Sequence, residues 1–222
     1  MKSDKSYENF VFPRWTNLLR PAAVVAVLGG LGYVTVLVWL GFSPYAVEVG
    51  YQPVQPVPYS HAIHVGQLGI DCRYCHSTVE ISAEAAIPPT QTCMNCHSSV
   101  RATSEKLLPI RESYATGMPV EWIRVHDLPD YVFFNHSAHV MRGVGCVSCH
   151  GRIDTMEEVY KVKPLSMGWC LDCHRNPEQH LRPVEFVTAM DWVPEKDQLK
   201  LGAELRQIHN INPPQDCNAC HR

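Results

Sequence analysis

One long run of apolar residues stands out near the start of the chain. From Pro21 to Tyr45 (PAAVVAVLGGLGYVTVLVWLGFSPY) no residue carries a charge, and a helix needs about 20 mostly apolar residues to cross the hydrocarbon layer of a membrane. The pattern therefore predicts a single transmembrane helix over residues 21–45. A cleaved signal peptide is the alternative, but the run is longer than the apolar region of such peptides and no cleavage site of the A-x-A kind follows it.

The charges on either side of this run predict its orientation. Lys2, Lys5, Arg14 and Arg20 precede it, and no lysine or arginine follows until Arg73. Positive charge is retained in the cytoplasm, so the N-terminus is predicted to be cytoplasmic, the helix to span a bacterial inner membrane, and the remainder to lie on the periplasmic side. Aromatic residues suited to the two membrane interfaces flank the run: Phe12, Trp15, Trp39 and Tyr45.

The remainder of the chain shows little sustained periodicity. The sequence contains 17 Pro and 13 Gly, and turn-rich connections such as QPVQPVPYS and INPPQDC interrupt the apolar pattern. The best helical patterns cover residues 98–113 and 195–209. The predicted fold is therefore one transmembrane helix followed by a domain of short helices and loops with little regular secondary structure.

The composition indicates that this domain binds a cofactor. Ten cysteines and twelve histidines accompany only six phenylalanines, and cysteine and histidine are the residue types that bind metals and cofactors. The formal net charge is −3, which provides no basic surface for nucleic acid. Nucleic-acid binding is therefore not expected.

Every cysteine belongs to a Cys-x-x-Cys-His sequence. The five motifs are motif 1 (Cys72, Cys75, His76), motif 2 (Cys93, Cys96, His97), motif 3 (Cys146, Cys149, His150), motif 4 (Cys170, Cys173, His174) and motif 5 (Cys217, Cys220, His221). This is the attachment signature of c-type haem, in which the two thiols form thioethers with the porphyrin vinyl groups and the histidine ligates the iron. The short spacing sets both sulfurs against one edge of the porphyrin.

Two other readings of paired cysteines are disfavoured. Disulfides and zinc sites also use closely spaced cysteines, but neither needs a histidine directly after the second cysteine, and all five motifs have one. We therefore predict five covalently bound c-type haems and no disulfides. The haems are expected to supply most of the buried apolar area of an exported, haem-packed multihaem cytochrome c domain.

The spacing of the motifs indicates an internal duplication. Motifs 1 and 2 form one pair, motifs 3 and 4 a second pair, and motif 5 stands alone. An aromatic-x-His-x-x-His-Val sequence precedes each pair, with His61 and His64 in the first copy and His136 and His139 in the second. The predicted domains are a cytoplasmic segment (1–20), the transmembrane helix (21–45), a linker (46–60), the first His-x-x-His unit with two haems and a connector (61–125), and the second such unit with the fifth haem (126–222).

Seven histidines remain once the five motif histidines are assigned. The two histidines of a His-x-x-His sequence lie on nearly the same side of a helical turn, yet their imidazoles diverge too far to bind one iron from one direction. Each pair is therefore predicted to serve two different haems, one of them the first haem of its own unit. The predicted distal ligands from these pairs are His61, His64, His136 and His139.

The residues leave several candidates for the fifth distal ligand. His126, in WIRVHDLPDY, lies just ahead of the second unit and is the first choice. His180 and His209 are alternatives, as are Met156 and Met167, because a thioether also ligates haem iron and raises its reduction potential.

Longer stretches carry a resemblance to a known family. HVGQLGIDCRYCHSTVE with IPPTQTCMNCH, and VEWIRVHDLPDYVFFNHSAHV with MGWCLDCHRNPE, resemble the membrane-anchored pentahaem cytochrome c subunit of alternative complex III, a bacterial quinol-oxidising respiratory complex. The likeness runs from about residue 57 to the end. FNHSAH ahead of a Cys-x-x-Cys-His also resembles the class III cytochromes, in which both histidines are distal ligands to different haems.

The resemblance implies a role that spacing alone does not. It implies that electrons from menaquinol oxidation are collected and passed to a periplasmic cytochrome, another carrier or a terminal oxidase. It also implies partner subunits in the membrane and an iron–sulfur subunit. On this reading the chain is the electron-transfer subunit of a quinol:acceptor oxidoreductase and not an enzyme by itself.

Two other functions compete with this one. A stand-alone quinol dehydrogenase would need acid/base groups near the membrane, because a quinol loses two protons on oxidation, and residues 45–60 offer only Glu48. A multihaem reductase would need one haem with an open coordination position, and no motif departs from the others. The sequence therefore favours an electron conduit.

Overall fold

A computed structural model describes residues 12–195 and 197–221. The chain divides into two compact units, one ending at Ala46 and the other beginning at Val47. Lys2 and Lys5, on which part of the orientation prediction rests, lie outside the described residues.

Over its described residues, the first unit contains one α-helix, α1 (Leu19–Phe42), which follows a 3-10 turn at Arg14–Leu18. Its 24 residues extend about 36 Å at about 1.5 Å per residue, which exceeds the roughly 30 Å thickness of the hydrocarbon layer. The mean hydropathy of its most apolar stretch is 2.2, and none of that stretch is buried against the protein. By length and composition α1 is able to cross a membrane, a property that it shares with signal sequences.

The second unit consists of short helices joined by loops. Its α-helices, among the described residues, are α2 (Cys72–Cys75), α3 (Thr90–His97), α4 (Leu108–Thr116), α5 (His136–Val140), α6 (Cys146–His150), α7 (Met167–Arg175), α8 (Gln198–Ile208) and α9 (Cys217–Cys220). A π-helical turn covers Ala62–Gln67. Residues 12–195 and 197–221 form no strand and only two isolated β-bridges. The prediction of one apolar helix followed by short helices and loops is confirmed.

Of the two longer helices predicted from periodicity, one begins later than expected. The pattern over residues 98–113 becomes a helix only from Leu108, with Pro109 in its first turn. Proline has no N–H to donate and is tolerated in the first turn of a helix, so the helix begins next to it, and the left-handed Gly117 (φ 76°) ends it. The pattern over residues 195–209 corresponds closely to α8, which Asp197 caps by accepting a hydrogen bond from the Lys200 N–H at 3.0 Å.

The protein core of the second unit is small. Val79, Val140 and Val187 form one buried cluster, with Ala85 packed against it. The remaining buried apolar residues among those described are scattered through the unit: Val57, Ile110, Met156, Leu181, Met190 and Ile211. A domain of this size ordinarily buries one contiguous core. These side chains do not form one, and the unit needs further apolar material to complete it.

The closest packing of regular elements joins α8 to the 3-10 turn Pro177–Gln179. Gly202 of α8 lies against the backbone of Glu178, and a Cβ at this position would come within 2.6 Å of the Glu178 Cα. Arg206 of the same helix binds the Glu178 carboxylate at 2.5 Å. The absence of a side chain at Gly202 is therefore what allows α8 to approach this turn.

We expect Gly202→Ala to destabilise the haem-loaded protein by about 1–3 kcal/mol, because overpacking against backbone cannot be relieved by a rotamer change. Denaturant unfolding followed by circular dichroism measures the loss. Gly168→Ala in α7 is the matched control, since a Cβ there meets nothing within 4 Å; it is expected to be neutral or slightly stabilising, as alanine favours a helix over glycine. Equal effects of the two substitutions would contradict the packing argument.

Candidate haem-binding site

Each Cys-x-x-Cys-His motif lies on a short helical segment. The helices that carry motifs 1 to 5 are α2, α3, α6, α7 and α9. Residues i and i+3 of a helical turn share one face, so each turn directs its two sulfurs to the same side. Three of the helices begin with a side-chain cap, in which Asp71, Ser166 and Asp216 accept hydrogen bonds from the N–H groups of Arg73, Trp169 and Ala219. Local side-chain caps thus shape three of the five attachment turns.

All ten cysteines are free thiols. Eight are partly buried, and two, Cys96 and Cys217, are exposed. Burial, followed by the nearby thiols of Cys173 and Cys170, raises the pKa of Cys149 to about 12. The cysteines are therefore unpaired, as thioether attachment to a porphyrin requires.

In seven histidines the Nδ1 atom forms a hydrogen bond with a backbone carbonyl oxygen. The pairs are His64 with Ser60, His76 with Ala86, His97 with Val100, His136 with Ala83, His139 with Asn135, His174 with Pro214 and His221 with Tyr131, at 2.6–3.3 Å. A metal-binding histidine usually donates its second ring N–H to such an acceptor, which fixes the tautomer and leaves the other nitrogen free for the metal. These bonds leave Nε2 of both motif and His-x-x-His histidines as the available ligand atom.

The second histidine of each His-x-x-His sequence faces the second motif histidine of its own unit. The ring centres of His64 and His97 are 6.2 Å apart, and those of His139 and His174 are 6.0 Å apart. Metal–imidazole bonds of about 2.0–2.1 Å on opposite sides of one metal place the ring centres about 6.3 Å apart. The spacing fits one iron between the two rings in both units.

Motif 3 lies in a cluster of histidines. The His150 ring lies 6.4 Å from that of His136, with the two planes 9° apart, and 4.4 Å from that of His126 in an edge-on arrangement. Burial, followed by repulsion from His126, His136, His76 and His61, lowers the pKa of His150 to about 3. The separation from His136 suits ligands on opposite sides of one iron, whereas His126 is too close.

Motif 1 has His61 as its neighbour. Burial, followed by repulsion from His76 and His64, lowers the pKa of His61 to about 4. The Nδ1 atoms of His61 and His150 and the Nε2 atom of His126 are buried without a hydrogen-bond partner among the described residues. Buried polar atoms ordinarily have a partner. A metal bond would satisfy the Nε2 atom of His126, but iron bound at Nε2 of His61 and His150 would leave their Nδ1 atoms without a partner. The fit to the cofactor that the motifs specify therefore rests on the ring separations of 6.0–6.4 Å between paired histidines.

An aromatic ring orients each His-x-x-His pair. Tyr59 stacks on His64, with ring centres 4.4 Å apart, and meets His61 edge-on at 4.8 Å. Phe134 does the same in the second unit, at 4.5 Å from His139 and 4.8 Å from His136. The aromatic position of the repeated sequence is thus a packing support for both imidazoles.

The remaining candidate ligands lie in different surroundings. Met156 is buried, and its carbonyl accepts from the Ala62 N–H at 2.9 Å, whereas Met167 is 66% exposed at the start of α7. His180 is half-buried, and His209 caps the end of α8. His221 of motif 5 packs against Tyr131, with ring centres 5.8 Å apart.

Lys161 is a buried residue that sequence reasoning missed. It is 4% exposed, and its Nζ lies 3.7 Å from a Glu48 carboxylate oxygen. Its charge is the second cause, after burial, that lowers the pKa of His126 to about 4. No local pattern marks Lys161 in the sequence, because its burial results from contacts with Gly50 and Tyr51, which are distant along the chain.

Comparison with known proteins agrees with this site. The profile of a family described as cytochrome c7 and related cytochrome c matches residues 57–112 and 132–222. A curated protein of Nitratidesulfovibrio vulgaris, named menaquinone reductase, multihaem cytochrome c subunit, is 30% identical over 172 residues, which cover 68% of this chain and 81% of that protein. The matched residues include all five motifs.

Proposed function

We propose a function from the premise that this chain belongs to the cytochrome c7 and related cytochrome c family, whose members carry covalently bound c-type haems. The chain transfers electrons in a quinone-linked respiratory complex, as the membrane-anchored multihaem subunit. The imidazole pairs His64/His97 and His139/His174 carry this proposal, because their spacing of 6.2 and 6.0 Å would give the irons of motifs 2 and 4 two protein ligands each and leave no position for a substrate there.

The chain holds five haems through its five motifs. The proposed thioether residues are Cys72, Cys75, Cys93, Cys96, Cys146, Cys149, Cys170, Cys173, Cys217 and Cys220. The proposed axial pairs are His76/His61, His97/His64, His150/His136 and His174/His139, with His221 as the proximal ligand of motif 5. The distal ligand of motif 5 stays open, since His126 lies beside His150.

Helix α1 serves as the membrane anchor. Its length exceeds the hydrocarbon thickness, and its side chains are exposed along the whole helix, which suits contact with lipid. Arg14 and Arg20, which precede its apolar stretch, support a cytoplasmic N-terminus. The haem domain then lies on the periplasmic side of the inner membrane, where it meets other membrane subunits, an iron–sulfur subunit and a periplasmic acceptor.

The direction of electron flow has two candidates. The resemblance to alternative complex III favours electrons that leave a quinol and pass through this chain to a periplasmic cytochrome, another carrier or a terminal oxidase. The name of the curated relative, a menaquinone reductase subunit, favours the opposite direction, in which electrons pass through this chain towards menaquinone. Both assign this chain one-electron transfers between a quinone-reactive partner and a second redox partner.

We expect the purified chain, freed of other subunits, to stay oxidised when it is mixed anaerobically with a menaquinol analogue. The haem absorbance reports reduction, and dithionite provides the control that the haems are reducible. Reduction that begins only when partner subunits are added supports the conduit role. Fast reduction of the chain alone would instead assign the quinol site to this chain and support a stand-alone quinol dehydrogenase.

The reduction potentials of the haems distinguish the two directions. They are measured by redox titration of the holoprotein followed by haem absorbance, and are compared with the potential of the menaquinone couple. Haem potentials above that couple support quinol oxidation, and potentials below it support reduction of menaquinone.

A further inference from the structure

Motifs 1 and 2 contact each other directly. Asn95, inside motif 2, donates a hydrogen bond from Nδ2 to the hydroxyl of Tyr74, inside motif 1, at 3.1 Å. Burial, followed by the nearby sulfurs of Cys93, Cys72 and Cys96, raises the pKa of Cys75. The sulfurs of these two motifs are therefore neighbours.

Motifs 1 and 3 meet at their first cysteines. The thiol of Cys146 is close enough to that of Cys72 to raise the pKa of Cys72, and its own pKa is lowered in turn. One chain segment joins the two turns on the outside: the Thr188 hydroxyl donates to the Asp71 carboxylate at 2.8 Å, and the Cys146 N–H donates to the Val187 carbonyl at 2.9 Å. This contact links the two duplicated units through the first motif of each.

Motifs 3 and 4 share one ligand-bearing turn. Helix α5 carries both His136, whose ring lies 6.4 Å from that of His150, and His139, whose ring lies 6.0 Å from that of His174. The Cys149 thiol also lies near those of Cys173 and Cys170. The two motifs are therefore held at adjacent places by a single turn.

Motifs 4 and 5 are connected by the segment that leads into motif 5. The Nδ1 atom of His174 holds the carbonyl of Pro214, three residues before Cys217, at 2.6 Å. Burial, followed by the neighbouring Cys220, raises the pKa of Cys170. The last motif thus packs against the fourth.

We infer that the five motifs form one line in the order 2, 1, 3, 4, 5, and that electrons enter and leave the domain at motifs 2 and 5. The exposed cysteines support the choice of ends, because Cys96 belongs to motif 2 and Cys217 to motif 5, while the other eight are partly buried. The order rests on the contacts, whereas its use for electron exchange rests on the proposed function. At each end one electron passes between the iron of the motif and the redox centre of a quinone-linked subunit or a periplasmic carrier, so that one is oxidised as the other is reduced.

The number of neighbours distinguishes an end of the line from its interior. His64→Met changes the proposed distal ligand of motif 2, and His139→Met makes the same change at motif 4. A thioether ligand raises the reduction potential of the haem that it binds. The altered haem is therefore the first to be reduced. Low-spin ferrous iron has no unpaired electron. Reducing one ferric haem to this state therefore changes the electron paramagnetic resonance signals of the ferric haems that were magnetically coupled to it. At the potential where only the altered haem is reduced, we expect one other signal to change in His64→Met and two in His139→Met.

Several outcomes would overturn the order. Two or more perturbed neighbours in His64→Met, or the same number in both variants, would contradict a line that ends at motif 2. If a methionine variant fails to raise one potential or fails to assemble, the iron positions of the unaltered holoprotein, located in crystals by anomalous scattering at the iron edge, decide the same question. An iron of motif 2 whose nearest neighbour is not that of motif 1 would overturn the inference. Either measurement reads the arrangement without quinone, so its failure is separate from a failure of the proposed function.

Discussion

Replacing Cys146 and Cys149 together with alanine is expected to reduce the yield of folded, haem-loaded protein about tenfold or more. Motif 3 occupies the centre of the histidine cluster: the His150 ring packs near those of His126 and His136, and its pKa is lowered by burial and, less strongly, by His126, His136 and the first-unit histidines His76 and His61. The unit buries few side chains of its own, so a missing cofactor there leaves a cavity that the surrounding structure cannot fill. Cavities destabilise in proportion to their volume, and a domain has only about 5–15 kcal/mol of stability to lose.

The same pair of changes in motif 2, Cys93→Ala with Cys96→Ala, is the matched control. Cys96 is exposed, and motif 2 contacts motif 1 on one side, so we expect a folded protein with one haem fewer. Intact mass and the haem-to-protein ratio count the haems, and resistance to protease reports folding. Equal yields of folded four-haem protein from both double variants would contradict a central structural role for motif 3.

Replacing His139 with alanine is expected to open one coordination position. His139 faces His174 at a ring separation of 6.0 Å and is held by the Asn135 carbonyl at 2.7 Å, so its loss leaves the iron of motif 4 with one protein ligand. We expect the reduced variant to bind one more carbon monoxide per chain than the unaltered protein. The oxidised variant is expected to show a high-spin signal larger than that of the unaltered protein by one haem per chain.

A second substitution at the same place separates ligation from packing. Phe134→Leu removes the ring that stacks on His139 at 4.5 Å but keeps the imidazole. It is expected to bind no more carbon monoxide than the unaltered protein. If Phe134→Leu opens the position as His139→Ala does, the effect belongs to loosened packing; if neither binds more, His139 is not the distal ligand.

The sequence predicted those parts of the site whose residues are close together in the chain. A Cys-x-x-Cys-His motif needs only one helical turn, and His-x-x-His also fits within one turn, so spacing alone indicates both. The late start of α4 was predictable as well, since Pro109 restricts where that helix begins. The pairing of the second His-x-x-His histidine with a motif histidine joins residues more than thirty positions apart, as for His64 and His97, and spacing does not determine it.

The surroundings of His126 also depend on contacts between segments that are distant in the sequence. Its place just ahead of the second unit made it the first choice for the fifth ligand, whereas its ring packs edge-on against His150. Folding brings Lys161 and the two histidines together from three separate segments. Local periodicity carries no information on such tertiary contacts.

The contact between Cys72 and Cys146 has a consequence for the history of the domain. These cysteines hold equivalent positions in the two copies, and contact between equivalent residues is the mark of a two-fold axis. Backbone hydrogen bonds between the two copies are also reciprocal. The His136 N–H donates to the carbonyl of Ala83, after motif 1, at 3.0 Å. The Ala62 N–H, next to His61, donates to the carbonyl of Met156, after motif 3, at 2.9 Å. A single-copy ancestor with this contact would have been a symmetric dimer in which the order of the haems was the same from either end. Fusion of two gene copies would have allowed the two ends to diverge towards different partners.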